Sequence, residues 1–160
     1  MGHYLAQWRA SKKPANWTPK FRKTDGVSQI RGSHAETLVK SILLAHGRKV
    51  EAMPYNSPFD LLVDGIWKCD VKCSAALDKI WPTWFFNFHR HNKLNENLDA
   101  YILRLENVPG HKKAVHLLFR APTKVKTITF TLRSLIELAA PMVGDFKDFC
   151  AGHYQKEKAA

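Results

Sequence analysis

A mixed α/β domain is predicted, with helices packed on a central sheet. Three observations predict it: a helical segment opening at Ser33, a cluster of extended segments directly after it, and the Asp64-Gly65 pair inside that cluster. Ser33 is a good N-cap residue, and Glu36 three positions later completes a capping box. Ala35, Leu38, Val39, Ile42 and Leu43 recur at helical spacing, and Gly47 stands where a C-cap belongs. The helix is predicted over residues 34–46. Extended segments follow at 48–53, 58–63 and 66–74. Asp64-Gly65 joins the last two as a hairpin, because both residues tolerate the positive φ that a tight turn demands. Further strands are predicted at 84–89, 100–105, 115–119 and 127–131, and helices at 132–139 and beyond Asp145.

The 160 residues fit one domain, and a hydrophobic share of 45% is that of a folded chain. No apolar run approaches the roughly eighteen residues of a membrane span, so no membrane partner is expected. Cys69, Cys73 and Cys150 cannot all pair with one another, which suits an intracellular, reducing location. Charge is the strongest global signal. Lys and Arg total 25 against 14 acids, for a formal net charge of +11, and such an excess favours polyanions. Between Met1 and Arg31 there are seven basic residues and a single acid, Asp25. Pro14 and Pro19 interrupt this stretch, and Tyr4, Trp8, Trp17 and Phe21 are scattered through it. Residues 1–31 therefore read as a basic arm able to neutralise phosphates, with residues 32–160 as the domain.

The hairpin carries the chemistry. Side chains alternate between the faces of a strand, so Trp67, Cys69, Val71 and Cys73 share a core face while Lys68, Asp70 and Lys72 share the other. In the preceding strand Phe59, Leu61 and Val63 share a face, with Asp60 opposite them beside Leu62. A hairpin thus gathers Asp60, Asp70 and Lys72 on one side. Two carboxylates facing one point repel unless a proton or cation intervenes, and oxygen ligands of this kind suit Mg²⁺ or Mn²⁺. Such an ion would lower the pKa of a bound water, and Lys72 could orient or deprotonate that water and stabilise developing charge. Asp64 is explained by the turn. The cysteines lack a second pair at zinc-finger spacing and read as buried thiols. His89 and His91, with Asn87 and Arg90, could imitate a nuclease with a histidine base. The alternation of Phe86, Asn87, Phe88 and His89 is that of an ordinary half-buried strand.

Asp60 followed by Asp70-Val71-Lys72 resembles the active-site signature of the PD-(D/E)XK nuclease superfamily. The stretch from Gly32 to Ser74, roughly a quarter of the chain, is similar to Holliday junction resolvases and to small phage or intron-encoded endonucleases of that superfamily. One departure is that Pro58 and Asp60 are separated by Phe59, where the motif has Pro and Asp adjacent. The resemblance implies a restriction-endonuclease-like core, a mixed sheet flanked by helices in the order αβββαβ. It implies Asp60, Asp70 and the Val71 carbonyl as metal ligands, Lys72 at the attacking water, and Glu36 on the metal directly or through water. Glu36 has a second reading as the partner of the Ser33 cap. Arg31, Ser33, Asn87, His89, Arg90 and Lys93 are candidate contacts to nucleic acid. The expected activity is Mg²⁺-dependent cleavage of DNA, on branched junctions in the first reading and on duplex by a restriction or homing-type enzyme in the second. A homodimer or higher homo-oligomer would cut both strands. The rival from another class is a binding module that keeps the fold without turnover.

Overall fold

The computed structural model describes residues 27–76, 80–89, 97–121, 125–137 and 146–155. The first helix, α1 (Val27–Ala45), starts well ahead of its predicted boundary. Ser33 is inside it, only 6% exposed, with its carbonyl accepting the Thr37 hydroxyl at 3.1 Å. An N-cap residue must sit outside the helical backbone, so Ser33 is not one and the capping box is lost. The local signal misled because Gly32-Ser33 looks like a boundary, while the pairing that decides the matter runs upstream to Val27. Ala35, Val39 and Leu43 form the buried stripe of α1, each at most 1% exposed. Its end follows prediction. Gly47 has φ +77°, its N–H reaches the Leu44 carbonyl at 3.0 Å, and the Arg48 N–H reaches that of Leu43 at 3.0 Å. That double bond pattern is a Schellman cap.

The strands are β1 (Val50–Ala52), β2 (Leu61–Val63), β3 (Trp67–Ala75), β4 (Thr83–Asn87), β5 (Ala100–Glu106), β6 (Val115–Arg120) and β7 (Thr127–Thr131). Short helices α2 (Leu132–Glu137) and α3 (Phe146–Ala151) follow. Five strands form a mixed sheet in the order β1-β2-β3-β5-β6, with β3 and β5 parallel and the other pairs antiparallel. The predicted mixed sheet flanked by helices is therefore what the chain builds. The hairpin turn is also as predicted: Asp64 and Gly65 have φ of 53° and 73°, and the Ile66 N–H closes on the Val63 carbonyl at 3.1 Å. The Asp64 carboxylate accepts the Lys49 N–H at 2.9 Å and pairs with Arg48, tying the turn to the end of α1.

A parallel neighbour requires a long crossover. Among the described residues of the β3–β5 connection that crossover forms β4, with no helix there as the αβββαβ order would have it. β4 pairs with β7 in a separate two-stranded ribbon. Two cores result. On one face of the large sheet, α1 and α3 cover Leu61, Val63, Trp67, Cys69, Val71, Ala100, Ile102 and Leu118. On the other, the ribbon brings Trp84, Phe86 and Phe130 over Tyr101, Leu103 and Leu105.

Candidate active site

Asp60 stands just before β2, where the ladder departs from regular register. Leu61 is the partner of Cys69, yet the Asp60 N–H also donates to the Cys69 carbonyl, at 3.0 Å. The strand entry is slipped by one residue. Phe59 consequently packs with the ribbon-side core, not with Leu61 and Val63 as strict alternation predicts. The slip also aims the Asp60 side chain along β3, and its Oδ2 accepts the Val71 N–H at 2.8 Å. The N–H and C=O of one strand residue leave by the same edge, so the Val71 carbonyl faces this side too, past the end of β2.

Along β3 the alternation holds. Trp67, Cys69 and Val71 are buried, Lys68 is exposed, and Asp70 and Lys72 are half-buried on the other face. Lys72 Nζ lies 2.8 Å from Asp70 Oδ2. Burial pushes the Asp60 carboxyl well above the usual carboxylate range. The charge of Asp70, then that of Glu36, then a side-chain hydrogen bond with Asp70 push it further, and the Val71 N–H offsets only part of this. Asp60, Asp70, Lys72 and Glu36 are thus brought together. With Ser33 inside α1, the capping-box reading of Glu36 does not hold.

Tyr101, the β5 register partner of Asp70, is a neighbour that sequence reading missed. Burial and the Asp70 charge push its phenol up to about 12. No local signal could have found it, since which residue faces Asp70 depends on the β3–β5 register.

The donor set fits a hard cation. It offers two carboxylates hydrogen-bonded to each other and a backbone carbonyl, with the charge of Glu36 felt at Asp60. Among the described residues no three acidic, His or Cys side chains converge as a ready cage. Mg²⁺ asks for less, commonly taking one or two carboxylates and keeping several waters. Cys69, Cys73 and Cys150 are free thiols, the first and last buried.

The expected nucleic-acid contacts divide. Ser33 is buried and so is not placed to meet a phosphate. Arg31 is half-buried on α1, and its charge acts on Cys73. Asn87 is exposed at the end of β4, its Oδ1 accepting the His89 N–H at 2.9 Å. The His89 Nε2 is buried with no hydrogen-bond partner among the described residues. Arg90, Lys93 and residues 1–26 of the arm lie outside the described residues.

A second ionisable cluster occupies the helix-covered face. Arg104 Nε is 3.1 Å from Glu106 Oε1, and Arg104 Nη1 is 3.0 Å from His116 Nε2. The His116 ring stacks on Phe146 at 5.3 Å. Burial, then the Arg104 charge, pushes His116 down to about 4, so the neutral ring accepts from the guanidinium.

No family model matches the chain, and no curated protein does. Among solved structures it is similar to a bacterial homing endonuclease, I-Ssp6803I, with 18% identity and a TM-score of 0.47 over 66% of this chain and 78% of that one.

Proposed function

We propose that this chain is a metal-dependent endonuclease that hydrolyses DNA phosphodiesters at Asp60 and Asp70. The observation that carries the reading is the half-buried carboxyl pair, hydrogen-bonded together, with Lys72 held against one member and Glu36 acting on the other. Burying two acids side by side is costly and gives the fold nothing that apolar residues would not. A site built for a cation explains the arrangement.

Bound Mg²⁺ or Mn²⁺ would be held by Asp60, Asp70 and the Val71 carbonyl, and would supply Lewis acidity and charge neutralisation at the phosphodiester. The Val71 N–H fixes the Asp60 carboxylate through its Oδ2, and the same side chain hydrogen-bonds to Asp70. Asp70 holds Lys72 in a fixed position, which suits the ammonium to orienting the attacking water and to countering charge on the phosphoryl oxygens. Water adds to phosphorus and gives up a proton to solvent as one P–O bond to deoxyribose breaks, and the departing deoxyribose oxygen takes up a proton from solvent. Glu36 would hold the cation directly or through water.

The minimal substrate is duplex DNA, as for a restriction or homing-type enzyme. The junction reading rests on the Gly32 to Ser74 stretch, which builds helix and catalytic hairpin and nothing that distinguishes a branch. Residues 1–31 would add phosphate contacts, and a pair of copies would cut both strands.

The test is cleavage of linear duplex, single strand, flap and four-way junction with and without Mg²⁺ or Mn²⁺, with Asp70→Asn in parallel. Metal-dependent cutting that vanishes in the variant supports the reading. A four-way junction cut in preference to duplex replaces the duplex assignment. Binding of every substrate with no cutting, and no stabilisation on metal titration, establishes a non-catalytic module instead.

A further inference from the structure

The β4–β7 ribbon has two unlike faces. Trp84, Phe86 and Phe130 point inward into the core. Outward, Thr83, Phe85 and Asn87 stand opposite Thr131, Thr129 and Thr127, and all six are exposed. Thr131 is engaged as the N-cap of α2, its Oγ1 accepting the Ser134 N–H at 3.2 Å. That leaves a surface of threonine hydroxyls and one amide around Phe85, which is 56% exposed. Just before β4, Ile80 and Trp81 are 80% and 78% exposed.

A solvated ribbon ordinarily carries charges on its outer face, which keep it from pairing with another sheet. This one carries none. Its cations stand at the ends: exposed Lys126 precedes β7, and exposed Arg133 follows it. A neutral hydrogen-bonding strip bracketed by positive charge is the complement of base edges bracketed by phosphates. Threonine hydroxyls donate and accept, threonine methyls and a phenyl ring meet the thymine methyl, and Asn87, whose Oδ1 already accepts the His89 N–H, still offers its Nδ2 as a donor. The roughly 12 Å major groove admits a two-stranded ribbon. Its place in the fold is also suited. The Phe85 N–H donates to Ser74 Oγ at 3.0 Å, so β4 runs beside β3, the strand that holds Asp70 and Lys72.

We infer that the outer face of the β4–β7 ribbon enters the major groove of duplex DNA and reads base edges, fixing where the neighbouring carboxylate site acts. The inference rests on the endonuclease reading for its consequence, but sequence reading by the ribbon is measured separately from cutting. A second copy of the chain is the competing occupant. A self-association face of this size would call for an apolar centre, and this one has a single phenyl among hydroxyls.

The experiment is selection of bound duplexes from a randomised pool by the full chain in Ca²⁺, so that binding is read without cleavage. Wild type is compared with Phe85→Ser, Thr129→Val and Lys126→Ala, each checked for an unchanged unfolding midpoint. The wild type is expected to enrich a defined sequence. Phe85→Ser and Thr129→Val each lose discrimination at one or two base pairs by roughly five- to a hundredfold, with the salt dependence of binding unchanged. Lys126→Ala keeps the sequence preference and lowers the salt slope by about one. No enrichment by the wild type overturns the inference, as does the same enriched sequence with equal discrimination in both ribbon variants. Loss of a sedimenting oligomer in Phe85→Ser with DNA preference intact assigns the face to a second copy. A wild type that selects a sequence and cuts nothing refutes the nuclease reading alone.

Discussion

The two faces of the central sheet each hold a half-buried ionisable cluster, and the two are balanced in opposite ways. Around Arg104, one cation meets one carboxylate and a neutral imidazole, so its Nε and Nη1 each have an acceptor and the net charge is small. Around Asp60, the carboxylates of Asp70 and Glu36 add to the burden of burial, and Lys72 is the cation held there, against Asp70. The first cluster is complete with what the chain supplies. Among the described residues the second gathers Asp60, Asp70 and Glu36 against Lys72, and on the proposed reading a cation would offset the excess of carboxylates.

Removing one acid from the unbalanced cluster has the largest expected effect. Asp70→Asn should cut the cleavage rate by roughly a hundredfold or more, while raising the unfolding midpoint of the chelator-treated protein, since Asp60 is relieved of a repelling neighbour. A lower midpoint in chelator would break the comparison. In the balanced cluster the sign reverses. Arg104→Met should destabilise by about 1–3 kcal/mol, because it takes the guanidinium from the Glu106 carboxylate and from the His116 ring. Denaturant titration measures it, and a loss near zero would show the cluster is not held by its pairing.

The pH profile sharpens the contrast. The folded pKa of His116, about 4, lies below its ordinary 6.5, so its contribution is present above 6.5 and is lost as pH falls toward 4. Asp60 is raised in the fold, so its contribution is present below its ordinary 3.8 and is lost as pH rises through the raised value. Between about 4 and 6.5 the two trends oppose each other, so the metal-free midpoint should stay nearly level there and fall as pH rises from 6.5 toward about 9. His116→Phe should extend the Asp60 decline below 6.5, Asp60→Asn should leave only the acid-side loss of His116, and Mg²⁺ should restore wild-type stability on the alkaline side. The smallest effect is a control on α1, which borders both clusters. A Cβ at Gly32 would meet nothing within 4 Å, so Gly32→Ala should stabilise by about 0.5–1 kcal/mol with an unchanged pH profile.

Asp60, Asp70 and Lys72 were legible in the sequence because strand alternation and Asp-Gly turn chemistry are local and have short periods. β3, β5, β6 and β7 lie within a residue or so of their predicted positions for the same reason. The failures needed partners distant in the chain. Ser33 offers every local sign of a cap, yet its burial depends on what packs against α1. Phe59 changes face because of a one-residue slip that only the Cys69 pairing reveals. Tyr101 meets Asp70 through a parallel register that no short window encodes, and the docking of β4 depends on β7, some forty residues later.

The clasp of Arg48 and Lys49 on Asp64 has a mechanical meaning for the site. It joins the end of α1 to the tip of the hairpin, so helix and hairpin form two arms of a caliper with their pivot at Asp64. Glu36 rides on one arm and Asp60 on the other. With a rise of about 1.5 Å per residue, Glu36 stands some 15–20 Å from the pivot, and a tilt of about 4° there would move it by roughly an ångström. Displacements of that size cost catalysis heavily. A salt bridge remote from the proposed site thus joins the two elements that carry its carboxylates.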